Sequence, residues 1–533
     1  MAQHKKHNSR QEKSIILDGH SLTIDQVVDA ARGKAMVKIS SRARKLVQDS
    51  SETVTELTAS EIPIYGVNTG FGFFANQRIE PEQSIRLSRN LILSHVVGVG
   101  PPFAEDVVRA AMLIRANTLA YGHSGVRPEL IDALINMLNH GVTPYIPSQG
   151  SLGSSGDLAP LAHLALILSA PLDDEDHFSG QAWHKNRLMS GVEAMTAAGL
   201  NRITLGPKEG LAIINGATFA TAILALACFD IGRLLHGSEI AAALSLEALL
   251  GVSAAFDPKI HEARPHPGQI AVAQRMRDLT HGSELLDAGT QLQDAYSLRC
   301  IPQILGPSWD ILSFVKATVI REQNSAIDNP LIFENQVLSG GNFHGESIGQ
   351  AADYLKLTLA KVGALSERRA FRLTSPHKNV GLPPMLVARK EDAGLYSGLM
   401  MVQYTAASLT LENRSLATPD SIHTITTSAG QEDINANATT ATRHLAEIIS
   451  NLCYIVSIEM IIAAQALDIR LQSMPHTKLG LGTMAAHKMI RENVPFHEED
   501  HPHTADIESI ATIISSGDLI TAVENALGNA PRN

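Results

Sequence analysis

The chain has 533 residues, 44% hydrophobic but only 4% aromatic, and a formal net charge of −11. That length holds two to four domains or one large helical assembly, and with so few aromatics the core falls to Ala, Leu and Ile, which suit closely packed helices better than sheets. The acidic balance argues against nucleic acid or an anionic membrane as partner, and three widely spaced cysteines, Cys228, Cys300 and Cys453, suit reduced thiols in the cytoplasm.

Residues 1–13 are polar and basic with no apolar stretch after them; they predict a disordered start without a signal peptide. A helix is predicted to begin near Leu22–Gln26, with Thr23 or Asp25 as cap, and helical periodicity continues with interruptions to about Thr58. Tyr65-Gly-Val-Asn-Thr-Gly-Phe-Gly72 breaks it with a glycine-rich loop that lacks the dinucleotide-binding spacing. From about Ser84 the apolar positions Leu87, Leu91 and Ile92 bring His95 near the same helix face. Two further helices are expected over 104–122 and 128–140, and a solvated loop over Asp173 to Arg187.

Gly150 to Pro160 holds three glycines and three serines and leads straight into an apolar helical run, Leu158 to Leu168. A flexible linker would join polar segments instead. Gly156 is followed by Asp157, not by the Lys-Ser/Thr of a phosphate loop, and Gly153-Ser-Ser-Gly156 is one residue short of a serine-hydrolase elbow. A self-cyclising chain remains. The Gly156 nitrogen, unhindered by a Cβ, can attack the Ser154 carbonyl. Loss of water there and at Ser155 leaves a five-membered ring with an exocyclic methylidene, an electrophile made from the chain alone.

A boundary is expected around 204–210, separating a 14–208 domain that carries this loop from a 209–533 bundle with long helical patterns over 210–250, 268–285, 307–328, 345–370, 391–414 and 436–468. No alternating strands or short repeats occur, so the fold class is all-α. Leu211 to Phe229 is an uncharged run of 19 residues, about a membrane span in length; Asn215, Thr218 and Thr221 within it and Asp230 and Arg233 after it indicate a buried bundle helix. Asn215 must find hydrogen-bond partners there. His261 and His266 are spaced wrongly for a zinc helix and separated from it by Pro265. The histidines His4, His7 and His497 through His503 lie near polar ends without a matching cysteine or carboxylate, so no metal is expected. Gln293-Asp-Ala-Tyr296-Ser-Leu-Arg299 is dense in functional side chains, and the planar fork of Arg299 suits a carboxylate.

Gly150-Ser-Leu-Gly-Ser-Ser-Gly-Asp-Leu-Ala-Pro-Leu-Ala-His163 closely resembles the signature of the aromatic amino acid ammonia-lyases and aminomutases, which carry a 4-methylideneimidazol-5-one group. Their usual precursor triad is Ala-Ser-Gly; here it is Ser154-Ser155-Gly156, and the attacked carbonyl does not depend on the first side chain. Six motifs follow in the family's order between residues 15 and 470. The resemblance implies a fumarase/aspartase-like helical bundle, a homotetramer whose active sites are completed by neighbouring subunits, and no external cofactor. It makes Tyr65 the catalytic base, sets Asn215 and Tyr296 beside the prosthetic ring, and assigns the substrate carboxylate to Arg299 with Gln293 nearby. It puts Phe343 of Ser339-Gly-Gly-Asn-Phe-His344 against the substrate ring, and adds Gln431 of Gln431-Glu-Asp433. Ser94-His95 and Glu412 match histidine-type members, whereas Ile434 stands where those usually carry His. The implied reaction is loss of ammonia from L-histidine to give urocanate; a tyrosine or phenylalanine ammonia-lyase, an aromatic aminomutase, or a silent helical scaffold are the alternatives.

Overall fold

The computed structural model describes residues 14–33, 35–171, 178–334 and 336–528; the disorder expected for 1–13 and the acidic run Asp173–Asp176 fall outside them. The fold is mostly helical. The first helix, Ile24–Arg32, starts where expected: the Thr23 hydroxyl accepts from the Gln26 N–H while the Gln26 side chain accepts from the Thr23 N–H, a reciprocal cap. The periodicity that follows is not all helix. Met36–Ile39 pairs in parallel with Ser14–Leu17 before the helix Ser41–Thr58 begins. Helices Ser84–His95, Glu105–Leu119, Pro128–Asn139 and Leu158–Leu168 agree with the sequence reading within a few residues.

Part of the expected 173–187 loop is instead a hairpin, Gln181–His184 with Arg187–Ser190. Ala182 and His184 turn inward while Gln181 and Arg187 stay exposed, a two-residue alternation too short and too polar to show as a strand in sequence. Lys185 and Asn186 take positive φ at its tip.

The long patterns resolve into Thr218–Ala248, Pro267–Leu279, Ile301–Glu322, Glu346–Thr374, Met400–Leu416 and Ala438–Ser473. Two depart from expectation. The 210–250 pattern breaks at Asn215–Ala217, between Glu209–Ile214 and Thr218–Ala248, and helix over 391–399 is replaced by a short 3-10 turn and loop. Thr218–Ala248 and Ala438–Ser473 are long and apolar enough to cross a membrane, but their most apolar windows are 83% and 67% buried within the protein, as in bundle cores.

By internal contacts the chain divides into two units: 1–226 with 316–351 and 420–443, and 227–315 with 352–419 and 444–533. Most of these boundaries fall inside helices, at 226/227, 315/316, 351/352 and 443/444. A single cut at 208 therefore does not describe the division, and composition cannot show it, because no linker marks the change.

Inside the second unit a carboxylate pins three helices. Glu459 accepts from Arg369 Nε at 2.5 Å and Nη2 at 2.8 Å, from Ser245 Oγ at 2.7 Å and from Ser366 Oγ at 2.6 Å, and Glu459, Arg369, Ser245 and Ser366 are all fully buried. Faces of Ala, Leu and Ile alone tolerate sliding by a turn; a bidentate ion pair holds in one register. Removing one partner strands a buried charge, so Arg369→Met is expected to cost about 3–5 kcal/mol, read as a lower denaturant midpoint in chemical unfolding.

Candidate active site

The glycine- and serine-rich loop is held by four main-chain bonds to three other segments. Asn437 N–H donates to Leu152 O at 2.8 Å, Gly345 N–H to Gly153 O at 3.1 Å and Gly216 N–H to Ser155 O at 3.2 Å, while Asp157 N–H donates to Gly216 O at 2.9 Å. Gly156 has φ +77°, and a Cβ there would lie 2.1 Å from the Gly216 carbonyl carbon. Only glycine permits this approach.

Asp157, which follows, is fully buried. Its carboxylate accepts from Ser151 Oγ at 2.9 Å, from Ala220 N–H at 2.9 Å and from Thr439 Oγ1. Ala220 and Thr439 begin the helices Thr218–Ala248 and Ala438–Ser473, so two helix N-termini converge on one negative charge. Burial still pushes the Asp157 carboxyl above the usual range, against the lowering effect of those hydrogen bonds.

Above the loop opens a cavity of about 530 Å³, wholly within the first unit. Tyr65, His95, Ser154, Ser155, Asn215, Phe343 and Gln431 all line it, so side chains up to 366 positions apart in sequence meet as the motifs imply. Glu432 stands opposite the serines, accepting from Ser154 Oγ at 2.6 Å and from Ser155 Oγ at 3.2 Å. The Ser155 carbonyl accepts a second bond from Asn215 Nδ2 at 2.8 Å. Asn215 is fixed from behind by Arg115, whose Nη2 donates to the Asn215 carbonyl at 2.6 Å and also to that of Ala212. Burial lowers the Arg115 guanidinium to about 10, which leaves it charged at neutral pH. The Asn215 Oδ1 and His344 Nε2 atoms are buried without a hydrogen-bond partner.

His95 ends the Ser84–His95 helix, with Nδ1 2.8 Å from Leu91 O and 3.0 Å from Ser94 Oγ. Burial lowers its pKa, so it is neutral at pH 7; donation from Nδ1 to Leu91 O then leaves Nε2 as an acceptor. Tyr65 packs edge-on against Phe71, ring centroids 6.5 Å apart. Burial raises its phenol pKa, a hydrogen bond with the Gly72 backbone lowers it, and the Glu432 charge raises it. The surrounding chain therefore does not poise Tyr65 below the usual value for a phenol.

Gln293, Tyr296, Arg299 and Glu412 do not line the cavity. All four belong to the second unit. Arg299 Nη1 donates to Gln293 Oε1, and the guanidinium carbon lies 4.8 Å from the Tyr296 ring centre; Tyr296 is 70% exposed, and Glu412 is exposed on the Met400–Leu416 helix. The sequence reading missed Glu432 and Asp157. Each sat inside a segment already singled out, but nothing local marks which acidic side chain turns toward the serines and which is buried.

Residues 22–492 match the aromatic amino acid lyase family. The chain belongs to that family. It is 43% identical over 517 residues to histidine ammonia-lyase of Treponema denticola, covering 96% of this chain and 99% of that one. Among solved structures it is similar to histidine ammonia-lyase from Trypanosoma cruzi, with 35% identity and a TM-score of 0.87 over 96% of this chain and 95% of that one. It is similar also to tyrosine aminomutase from Streptomyces globisporus, with 35% identity and a TM-score of 0.90 over 97% of this chain and 100% of that one. The backbone therefore identifies the family but does not separate lyase from aminomutase.

A Cβ at residue 156 cannot be seated, so Gly156→Ala is expected to produce protein whose intact mass shows the Ser154 carbonyl oxygen and the Ser155 hydroxyl both retained. Against it, wild-type chain is expected to be lighter by two waters.

Proposed function

We propose that the protein is a carbon–nitrogen lyase that eliminates ammonia from L-histidine to give urocanate. Near-full-length identity of 43% to a histidine ammonia-lyase carries the substrate assignment, and the neutral His95 and the histidine-type Glu412 support it. The residues of the loop fit a 4-methylideneimidazol-5-one: a glycine nitrogen without a Cβ, a serine hydroxyl on a carboxylate, and a carbonyl already holding two N–H donors. When formed from Ser154, Ser155 and Gly156, that group supplies an electrophile for the substrate amine.

The remaining work falls to side chains. Glu432, beside the Ser155 hydroxyl, in its protonated form gives that hydroxyl the proton with which it leaves as water, while the Ser155 Cα hydrogen is lost as a proton and the Cα–Cβ double bond forms. Asn215 Nδ2 and Gly216 N–H donate to the Ser155 carbonyl oxygen, where negative charge develops, with the logic of an oxyanion hole. Tyr65 removes the β-proton. Phe343 and His95 flank the substrate ring. Arg299, with Gln293, binds the substrate carboxylate from a neighbouring subunit, as Tyr296 comes beside the prosthetic ring and Glu412 approaches the imidazole; the exposure of Tyr296 and Glu412 in the isolated chain supports a homotetramer. Such exposed apolar side chains as Leu292, Leu395, Ile422 and Ile434 support it as well. Three free cysteines support a reducing, cytoplasmic location.

A second reading, an aminomutase that returns the amine to the β-carbon, is supported by the likeness to tyrosine aminomutase at a TM-score of 0.90. Purified protein given L-histidine, L-tyrosine and L-phenylalanine separately distinguishes them. Urocanate and ammonia are expected from histidine alone and none from Ser155→Ala; a β-amino acid product would establish the second reading instead.

The raised pKa of Tyr65 sets the pH dependence. With the phenol above its usual value of about 10, the phenolate fraction grows about tenfold per pH unit through neutrality. Log kcat is therefore expected to climb with near-unit slope from pH 7 toward 9, and Tyr65→Phe to lose about 10²–10⁴ in kcat. A flat profile across that range would assign the base elsewhere.

A further inference from the structure

Far along the chain from the cavity residues, and beyond residue 492 where the family match ends, three histidines gather on one carboxylate. From sequence, His497 through His503 have no matching cysteine or carboxylate. The structure corrects this: Asp506, in the first turn of the helix Thr504–Ser516, turns back onto the preceding loop. His497 Nε2 lies 3.1 Å and His503 Nδ1 3.0 Å from Asp506 Oδ2, and His501 Nε2 lies 3.8 Å from the same oxygen. The donor atoms of His497, His503 and Asp506 are all within 4.8 Å of one another.

The side chains of His497, His503 and Asp506 are 15%, 12% and 10% exposed, whereas His501 is 44% exposed and covers the group from solvent. The rings of His497 and His501 stack 4.3 Å apart, and that of His503 stands edge-on to both.

We propose that His497, His503 and Asp506, with His501 as fourth donor, form a binding site for a borderline divalent cation of the zinc class. Three imidazoles and one carboxylate make the nitrogen- and oxygen-rich donor set that such ions take. A tetrahedral ion with bonds of about 2.0–2.2 Å spaces its ligand atoms about 3.3–3.5 Å apart, within the range of the separations here. His497 and His503 hydrogen-bond to Asp506 Oδ2, but His501 at 3.8 Å lies beyond hydrogen-bond reach, so hydrogen bonding alone does not account for the third ring.

The scaffold is preorganised. Gln465 clamps the His497 main chain, donating to its carbonyl at 2.8 Å and accepting from its N–H at 3.4 Å, while Asp500 accepts from the N–H groups of Ser397 and Gly398 at 2.9–3.0 Å. The loop is thus fastened at His497 and at Asp500, between the histidines, before any ion binds. The bound cation ties that loop to the start of the Thr504–Ser516 helix, a structural role.

Full-length protein stripped with a chelator and dialysed against Zn²⁺ alone is expected to retain one ion per chain by atomic spectroscopy. Co²⁺ in its place is expected to show the intense visible bands of a tetrahedral site. His503→Ala and Asp506→Asn are expected to weaken binding by more than about tenfold, in competition with a chromophoric chelator. His501→Ala alters an exposed side chain and serves should the buried variants fail to fold; it too is expected to weaken binding and to diminish the rise in thermal midpoint that Zn²⁺ gives the wild type. Absence of retained zinc in the wild type, or zinc retained equally by all variants that fold, would overturn the proposal.

Discussion

The buried carboxylate of Asp157 is the constraint on which the rest of the site depends. It gathers the serine loop and the first turns of two long helices onto one charge. Placing it there works against its ionised form, and a buried charge is tolerated only where donors converge. That requirement explains the course of the chain nearby: the helix Thr218–Ala248 starts after a break at Asn215–Ala217, so its free N–H groups meet the loop. The same break frees Asn215 from the helix and turns its amide to the Ser155 carbonyl.

Apolar burial supplies the bulk of the folding free energy but little of the geometry. The long helices are rich in Ala, Leu and Ile, whose surfaces interlock in several registers at similar energy. Polar groups select among them. Glu459 with Arg369 does so in the second unit. In the first, buried Lys208 meets Asp328 at 2.7 Å and donates to Ser124 O at 2.7 Å, and Glu209 binds Arg127 at 2.7 Å and the Gly206 N–H at 2.6 Å. Lys208 and Glu209 immediately precede the segment that carries Asn215, so these pairs, with Arg115 behind the Asn215 carbonyl, set the amide's position to the precision its chemistry needs.

Much of the site could be read from local chemistry. A glycine nitrogen next to serines, at the mouth of an apolar helix, makes cyclisation chemically possible without reference to any contact. The Tyr65 loop and Asn215 stand out because polar or glycine-rich segments interrupt apolar periodicity, whereas Phe343 is marked only by the resemblance of its turn, Ser339 to His344, to the family's. Glu432 and Asp157 escaped because acidic residues in polar segments are common, and only distance separates one facing a serine from one facing solvent. The hairpin after Gly180 and the paired strands at Ser14 and Met36 escaped because pairing between short polar segments is decided by partners elsewhere in the chain. Tyr65 is the sharpest contrast. Its place was legible, but its acidity depends on burial and on Glu432, 367 positions away.

The sequence by itself determined the helical class, most helix boundaries and several of the side chains that line the cavity, because periodicity, caps and loop chemistry act over a few residues. Tertiary structure alone decided which carboxylate faces the serines, that Arg115 backs Asn215, how the chain divides within its helices, that Arg299 and Tyr296 lie outside the cavity of their own chain, and that Asp506 meets three histidines. Those outcomes rest on contacts between segments far apart in sequence, where burial and hydrogen-bond geometry, rather than residue type, set the energy.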